Sequence, residues 1–286
     1  MQDPAVAFEG SAKALLYASL LVAIGSSAAR WLLLRRTVAD LGADCVAAME
    51  RSVALTALVA GFLALGASVL RVWTHAVAVF GFGDARSWDT LRLIALQSRW
   101  GQSWRYQAIA AGVYTLACVV TVWRREFWPA ATLAVVGFTA TIPLLGHAAG
   151  DPARMAVHTL HILAAGVWLG TLAVVVLLPG SWRIRFLILR RFAPIAMPGS
   201  AVVAGAGLIA SWYYVGAISN LWITPYGRVL LLKTMLVAGI SVCGYINWRR
   251  LRRMRGEGGF SIVVLEATLA GAVVVATGFL TEIGHP

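Results

Sequence analysis

Residues 146–178 read GHAAGDPARMAVHTLHILAAGVWLGTLAVVVLL. From Met155 to Leu178 there is no Asp, Glu, Lys or Arg. A helix needs about 20 apolar residues to cross a hydrocarbon core, so this run predicts a spanning helix. A second apolar run, about Phe127–His147, ends just before it. The Ala148–Arg154 turn between them, with Gly150 and Pro152, is short enough to keep the two helices adjacent. Three of the five histidines, His147, His158 and His161, therefore fall beside one loop. Polar side chains at membrane depth are costly, and a cluster of them marks a candidate site.

The whole chain has the same character. Of its 286 residues, 60% are hydrophobic and only 13% are charged, where a soluble domain has roughly a quarter charged. The mean hydropathy is +0.79. The fold class is all-α, a polytopic bundle of about eight membrane helices in a single integral-membrane domain. The net charge of +12 does not point to nucleic acid, because the arginines sit in short clusters between apolar runs. Cys45, Cys118 and Cys243 have no CxxC spacing. No basic stretch precedes the first apolar run, which carries Asp3, Glu9 and Lys13 ahead of it, so that run is read as a retained helix rather than a signal peptide.

The predicted segments are about 14–34, 53–70 (open to extension past Arg71), 104–123, 127–147, 155–178, 192–218, 226–247 and 261–283. Residues 72–103 form a long connection with His75, a Gly81–Asp84 turn and an interfacial helix, Ser87–Gln97, with Trp88, Leu91 and Ala95 on one face. Pro194 and Pro198 are placed near the start of segment six, where proline is tolerated. The clusters Arg35–Arg36, Arg124–Arg125, Arg190–Arg191 and Arg249–Arg253 share one side. The positive-inside rule makes that side cytoplasmic and puts both termini in the periplasm. His75, His147, His158, His161 and His285 then all lie in the outer half, although none of them was used to set the orientation.

His158 and His161 are three apart and share a helix face. With His147 at similar depth, three imidazoles would suit copper, zinc or iron. Single histidines more often bond a backbone carbonyl or a neighbour such as Asp151. Met155 could add a thioether, a soft ligand for Cu(I). Met197, Cys118 and Cys243 could continue a soft path inward, although such residues commonly just fill packing gaps. Trp168 lies seven residues after His161 on the same face. Gly166 and Gly170 read as a close-packing pair. Lys233 either snorkels outward or pairs with Glu282, and Glu266 either pairs with Arg249 or serves proton or ion movement. Lys233 and Glu266 fall at different depths. No nucleophile–base set, phosphate loop or nucleotide fingerprint is present, and no enzyme activity is expected.

Several motifs, in order, resemble those of the copper resistance protein D (CopD) family of bacterial inner-membrane proteins. Ser98–Arg105, SRWGQSWR, is similar to a family helix entry that usually begins with threonine. Gly146–Ala149 followed by His161–Gly170 resembles its most recognisable run. Arg191–Ala196, then Tyr226–Arg228 with Lys233 and Asn247, then Glu266, resemble the later helices. The resemblance covers about Gln97 to the C-terminus, and residues 1–96 match in hydropathy only. It implies copper as the cargo, of undecided oxidation state, with His147 and His161 as first ligands. His158 follows on helix-face grounds, and His285 in the tail is a further candidate. It also implies a periplasmic copper-binding partner of the CopC type.

The expected function is copper capture from the periplasm and passage toward the cytoplasm, with Lys233, Glu266, Glu282 and Trp168 around the path. The alternatives are a membrane redox protein holding haem between two histidines and a non-conducting docking partner of a copper carrier.

Overall fold

The computed structural model describes residues 4–146, 148–253 and 260–284. Eight helices in it are long and apolar enough to cross a membrane, and no strand occurs among the described residues. They are α1 (Pro4–Ala28, continued by a π-helical turn, Ala29–Leu34), α2 (Ala43–Asp84), α3 (Arg99–Trp123) and α4 (Trp128–Thr141). Then follow α5 (Pro152–Ala165, continued through a π-helical turn Gly166–Gly170 into Thr171–Leu177), α6 (Trp182–Val215), α7 (Pro225–Arg253) and α8 (Phe260–Leu280).

Helix α1 is the hub. It packs against α2, α4, α5 and α8, and it is the most buried of the eight. Its sequence permits this. Small and polar residues, Ser19, Ser26, Ser27 and Ala23, are buried along it, and Ser19 and Ser26 return their hydroxyls to the carbonyls of Leu15 and Val22 one turn back. Small side chains let backbones approach where no hydrophobic force draws helices together. Gly25 meets Gly170 of α5 backbone to backbone, and Gly166 lies against the Ile24 side chain. The Gly166/Gly170 pair is thus a packing feature, as its spacing predicts.

The remaining helices complete two flanks. Helices α2, α3 and α4 pack in sequence order on one side, and α5 with α6 and α7 with α8 form pairs on the other. Both described ends of the chain lie at one face of the bundle, because Lys13 near the start of α1 pairs with Glu282 just past α8. The opposite face carries Arg30 at 3.0 Å from Glu50, Arg125 at 3.6 Å from the same carboxylate, and Arg191 bonded to Asp40.

Helix ends follow local chemistry. Asp151 caps α5, accepting hydrogen bonds from the backbone N–H groups of Ala153 (3.0 Å) and Arg154 (3.1 Å), and Pro152 fills the first-turn position that needs no donor. Ser98 caps α3 through Gly101 N–H at 2.8 Å. Gly150, at φ +90°, supplies the left-handed turn before α5 that other residues rarely adopt.

Several boundaries differ from the sequence reading. Helix α2 does not stop near Leu70. It runs on to Asp84, broken at Gly81 with φ +79°, so the connection is shorter than 72–103 and the GFGD turn marks its start. Arg71 lies inside this helix, 3% exposed, and donates to Gln107 Oε1 of α3 at 2.8 Å. The short helix Trp88–Arg92 and the turn Leu93–Gln97 bury Ile94, with Leu91 and Ala95 beside it, against Val72, Ala76 and Val77. Trp88 is 74% exposed and does not share that face. Helix α6 begins at Trp182, so Pro194 and Pro198 lie in its interior rather than its first turn. A spanning helix tolerates such prolines because neighbouring groups re-satisfy the freed backbone.

Candidate metal centre

His158 and His161 project from the first three turns of α5, which pairs with α6. His161 Nδ1 lies 3.1 Å from the backbone carbonyl oxygen of Val203 on α6. A carbonyl only accepts, so Nδ1 carries the proton and donates, and Nε2 keeps its lone pair. An orienting hydrogen bond of this kind fixes the tautomer of a metal-binding imidazole and raises its basicity. The ring fits beside Gly207. A Cβ there would stand 3.3 Å from His161 Cε1, so the absence of a side chain makes the space.

His158 Nε2 lies 3.2 Å from the hydroxyl of Tyr214, further along α6, with the two rings edge to face at 5.7 Å. Met155 is half-buried and stands three residues before His158 in the same helical row. Trp168 is 4% exposed in the core. Its Cβ lies 3.6 Å from the position a Cβ would take at Gly199 on α6. His161 and Trp168 therefore face the same neighbour helix, as their spacing predicts.

Lys233 of α7 is half-buried, and its charge acts on His161. It does not pair with Glu282, whose carboxylate is held by Lys13. Glu266 is 4% exposed in α8 and lies near Asn247, with Oε1 3.2 Å from the Cβ position of Gly244. Arg249, the expected partner, instead lies over the Tyr245 ring at 5.8 Å. Asn247 stands 14 residues along α7 from Lys233, about 21 Å at the helical rise. Lys233 and Glu266 thus belong to opposite ends of the bundle.

His147 and His285, both sequence candidates, lie outside the described residues. Among the described residues no three of His, Cys, Asp and Glu are gathered to hold a metal ion. Of the candidate ligands, the described residues include the His158–His161 pair, with Met155 in the same helical row. The inward soft-ligand row does not form. Met197 is 56% exposed, while Cys118 is buried in α3 against Tyr114. Nor do two described histidines from different helices flank a haem. His75, the only described histidine outside α5, bonds Glu9 and stacks on Trp100.

The sequence reading did not find Val203, Gly207 and Tyr214. All three come from α6, and only the packing of α5 on α6 brings them to the imidazoles. Gly207→Ala is expected to press on the His161 ring and lower copper affinity about tenfold, leaving the melting temperature near wild type. Competitive titration against a copper chelator, beside a thermal melt, checks both halves of that expectation.

Residues 5–154 match the family described as copper resistance protein D-like, N-terminal domain, and residues 186–280 match copper resistance protein D. The chain belongs to the copper resistance protein D family. The N-terminal match brings into this family the first 96 residues, which resemble it in hydropathy alone at the level of motifs. The copper transport protein CutJ of Bacillus subtilis (strain 168) is 26% identical over 246 residues, 80% of this chain. The chain spans 46% of the length of that relative. No solved structure matches. Neither copper resistance protein D match covers residues 155–185, so the roles of His158 and His161 rest on their geometry.

Proposed function

We propose that this protein takes copper from the outer face of a bacterial inner membrane and moves it toward the cytoplasm. The observation that carries the reading is the His161 hydrogen bond to Val203, which leaves a lone pair on a half-buried imidazole in a protein of a copper-handling family. His161 is the first ligand. His158 and Met155 extend the same helical row, and His147 is a further candidate ligand from the sequence. Lys233 disfavours a resident cation beside His161, so the centre holds copper briefly and favours passage over storage. Glu266, buried near the other face, supplies the inner charge. A periplasmic copper carrier of the CopC type delivers the ion. CutJ, by its name a copper transport protein, agrees with this reading.

Copper uptake by reconstituted vesicles tests it. Vesicles holding the protein are expected to accumulate copper at least about ten times faster than protein-free vesicles, a difference of about 1.4 kcal/mol in barrier. Equal rates with retained binding of a copper carrier would replace transport by docking. A Soret band with bound iron in the purified protein would replace copper by haem.

A further inference from the structure

A second set of buried ionisable groups lies in the same outer half, away from the α5 histidines. It is built by α1, α2 and the segment just past α8, with α3 closing one side. His75 Nδ1 of α2 lies 3.2 Å from Glu9 Oε1 of α1, and its ring stacks on Trp100 of α3 at 4.1 Å and 7°. Lys13, one turn after Glu9, pairs with Glu282. Glu282 also feels the charge of Glu9. Arg71 stands behind them, bonded to Gln107 and 5.8 Å over the Trp100 ring, where it feels the charges of Glu9 and Glu282. Glu9, Lys13 and Arg71 are all buried.

Two carboxyl groups that feel each other's charge do not both ionise readily. Burial pushes the Glu282 carboxyl up, in the same direction. Lys13 balances one carboxylate, and that alone would staple α1 to the end of α8. The second carboxyl and the imidazole exceed what a staple needs. They are groups that exchange a proton along hydrogen bonds, and the His75 side chain is 23% exposed.

We propose that Glu9, His75 and Glu282, held in place by Lys13, form a proton-binding site that exchanges with the outer solution and is separate from the metal-binding histidines. Use of that proton as the counter-ion for copper rests on the transport reading, whereas the site itself does not.

The indole of Trp100 reports on it, because an imidazolium stacked on an indole quenches its fluorescence. The full chain in nanodiscs, without copper, is titrated from about pH 8 to pH 5, and the signal lost in Trp100→Phe is taken as that of Trp100. The expected result is a one-proton quench in wild type, absent in both His75→Gln and His75→Asn. In Glu9→Gln the quench differs from wild type, because the imidazole loses its carboxylate partner. Two results overturn the proposal: no Trp100 quench in wild type, or a quench that persists in either His75 variant with wild-type melting. No copper enters the experiment, so neither result depends on whether the protein transports it.

Discussion

His161→Ala is expected to lower the affinity of the purified protein for copper by about 100-fold or more, because loss of an orienting partner alone costs 10- to 100-fold. The expectation follows from the tautomer. Val203 takes the Nδ1 proton, so Nε2 is the nitrogen that offers a lone pair. His158→Ala is expected to do less, because its Nε2 already lies against the Tyr214 hydroxyl. His161→Gln keeps much of the volume and a polar tip, and should lose copper as fully as the alanine variant. Stability should change little in that variant, since the Val203 carbonyl belongs to a helix and keeps its backbone partner. Chelator competition in nanodiscs measures the affinities. Wild-type copper affinity in His161→Ala would remove this imidazole from the centre and leave the remaining candidates, His147 foremost, to account for binding.

The second large effect concerns assembly rather than chemistry. Gly170→Leu is expected to prevent the wild-type bundle from forming, or to destabilise it by about 3 kcal/mol or more. A side chain at Gly170 would run into the backbone carbonyl of Leu21, which cannot rotate away as a side chain can. Gly166→Ala meets the Ile24 side chain instead and should be milder. Gly112 and Gly137 have open space around them, and Gly112→Leu is the matched control expected to melt as wild type does. Detergent-extracted yield and thermal unfolding, followed side by side, give the comparison. Equal melting for Gly170→Leu and Gly112→Leu would contradict the close crossing of α1 and α5.

The spanning helices were legible because a membrane imposes length and apolarity on any segment that crosses it, and eight runs meet both demands. The facing of His161 and Trp168 was legible too, since helical spacing is local. What was not legible depended on which helix lies beside which. Nothing in the spacing of α6 marks Val203, Gly207 or Tyr214 as neighbours of imidazoles some 40 or more residues away. Arg71 reads as an interfacial end to a helix until Gln107 of α3 and Trp100 are placed beside it. Trp88 fits an amphipathic face by period, yet the burial goes to Ile94, because the turn at Leu93–Gln97 widens and rotates the later residues. Glu282 sits in sequence where it could serve Lys233, and only the contact of α1 with α8 gives it to Lys13.

The central position of α1 also bears on biosynthesis. This helix reaches the translocon before its neighbours, yet Lys13 must wait for Glu282, which leaves the ribosome only after α8. In the interval Lys13 sits in the lipid or at its edge without its final partner. Closure of α8 onto α1 is then the step that neutralises it, and nascent chains halted before α8 should be held by membrane chaperones or cleared by quality-control proteases.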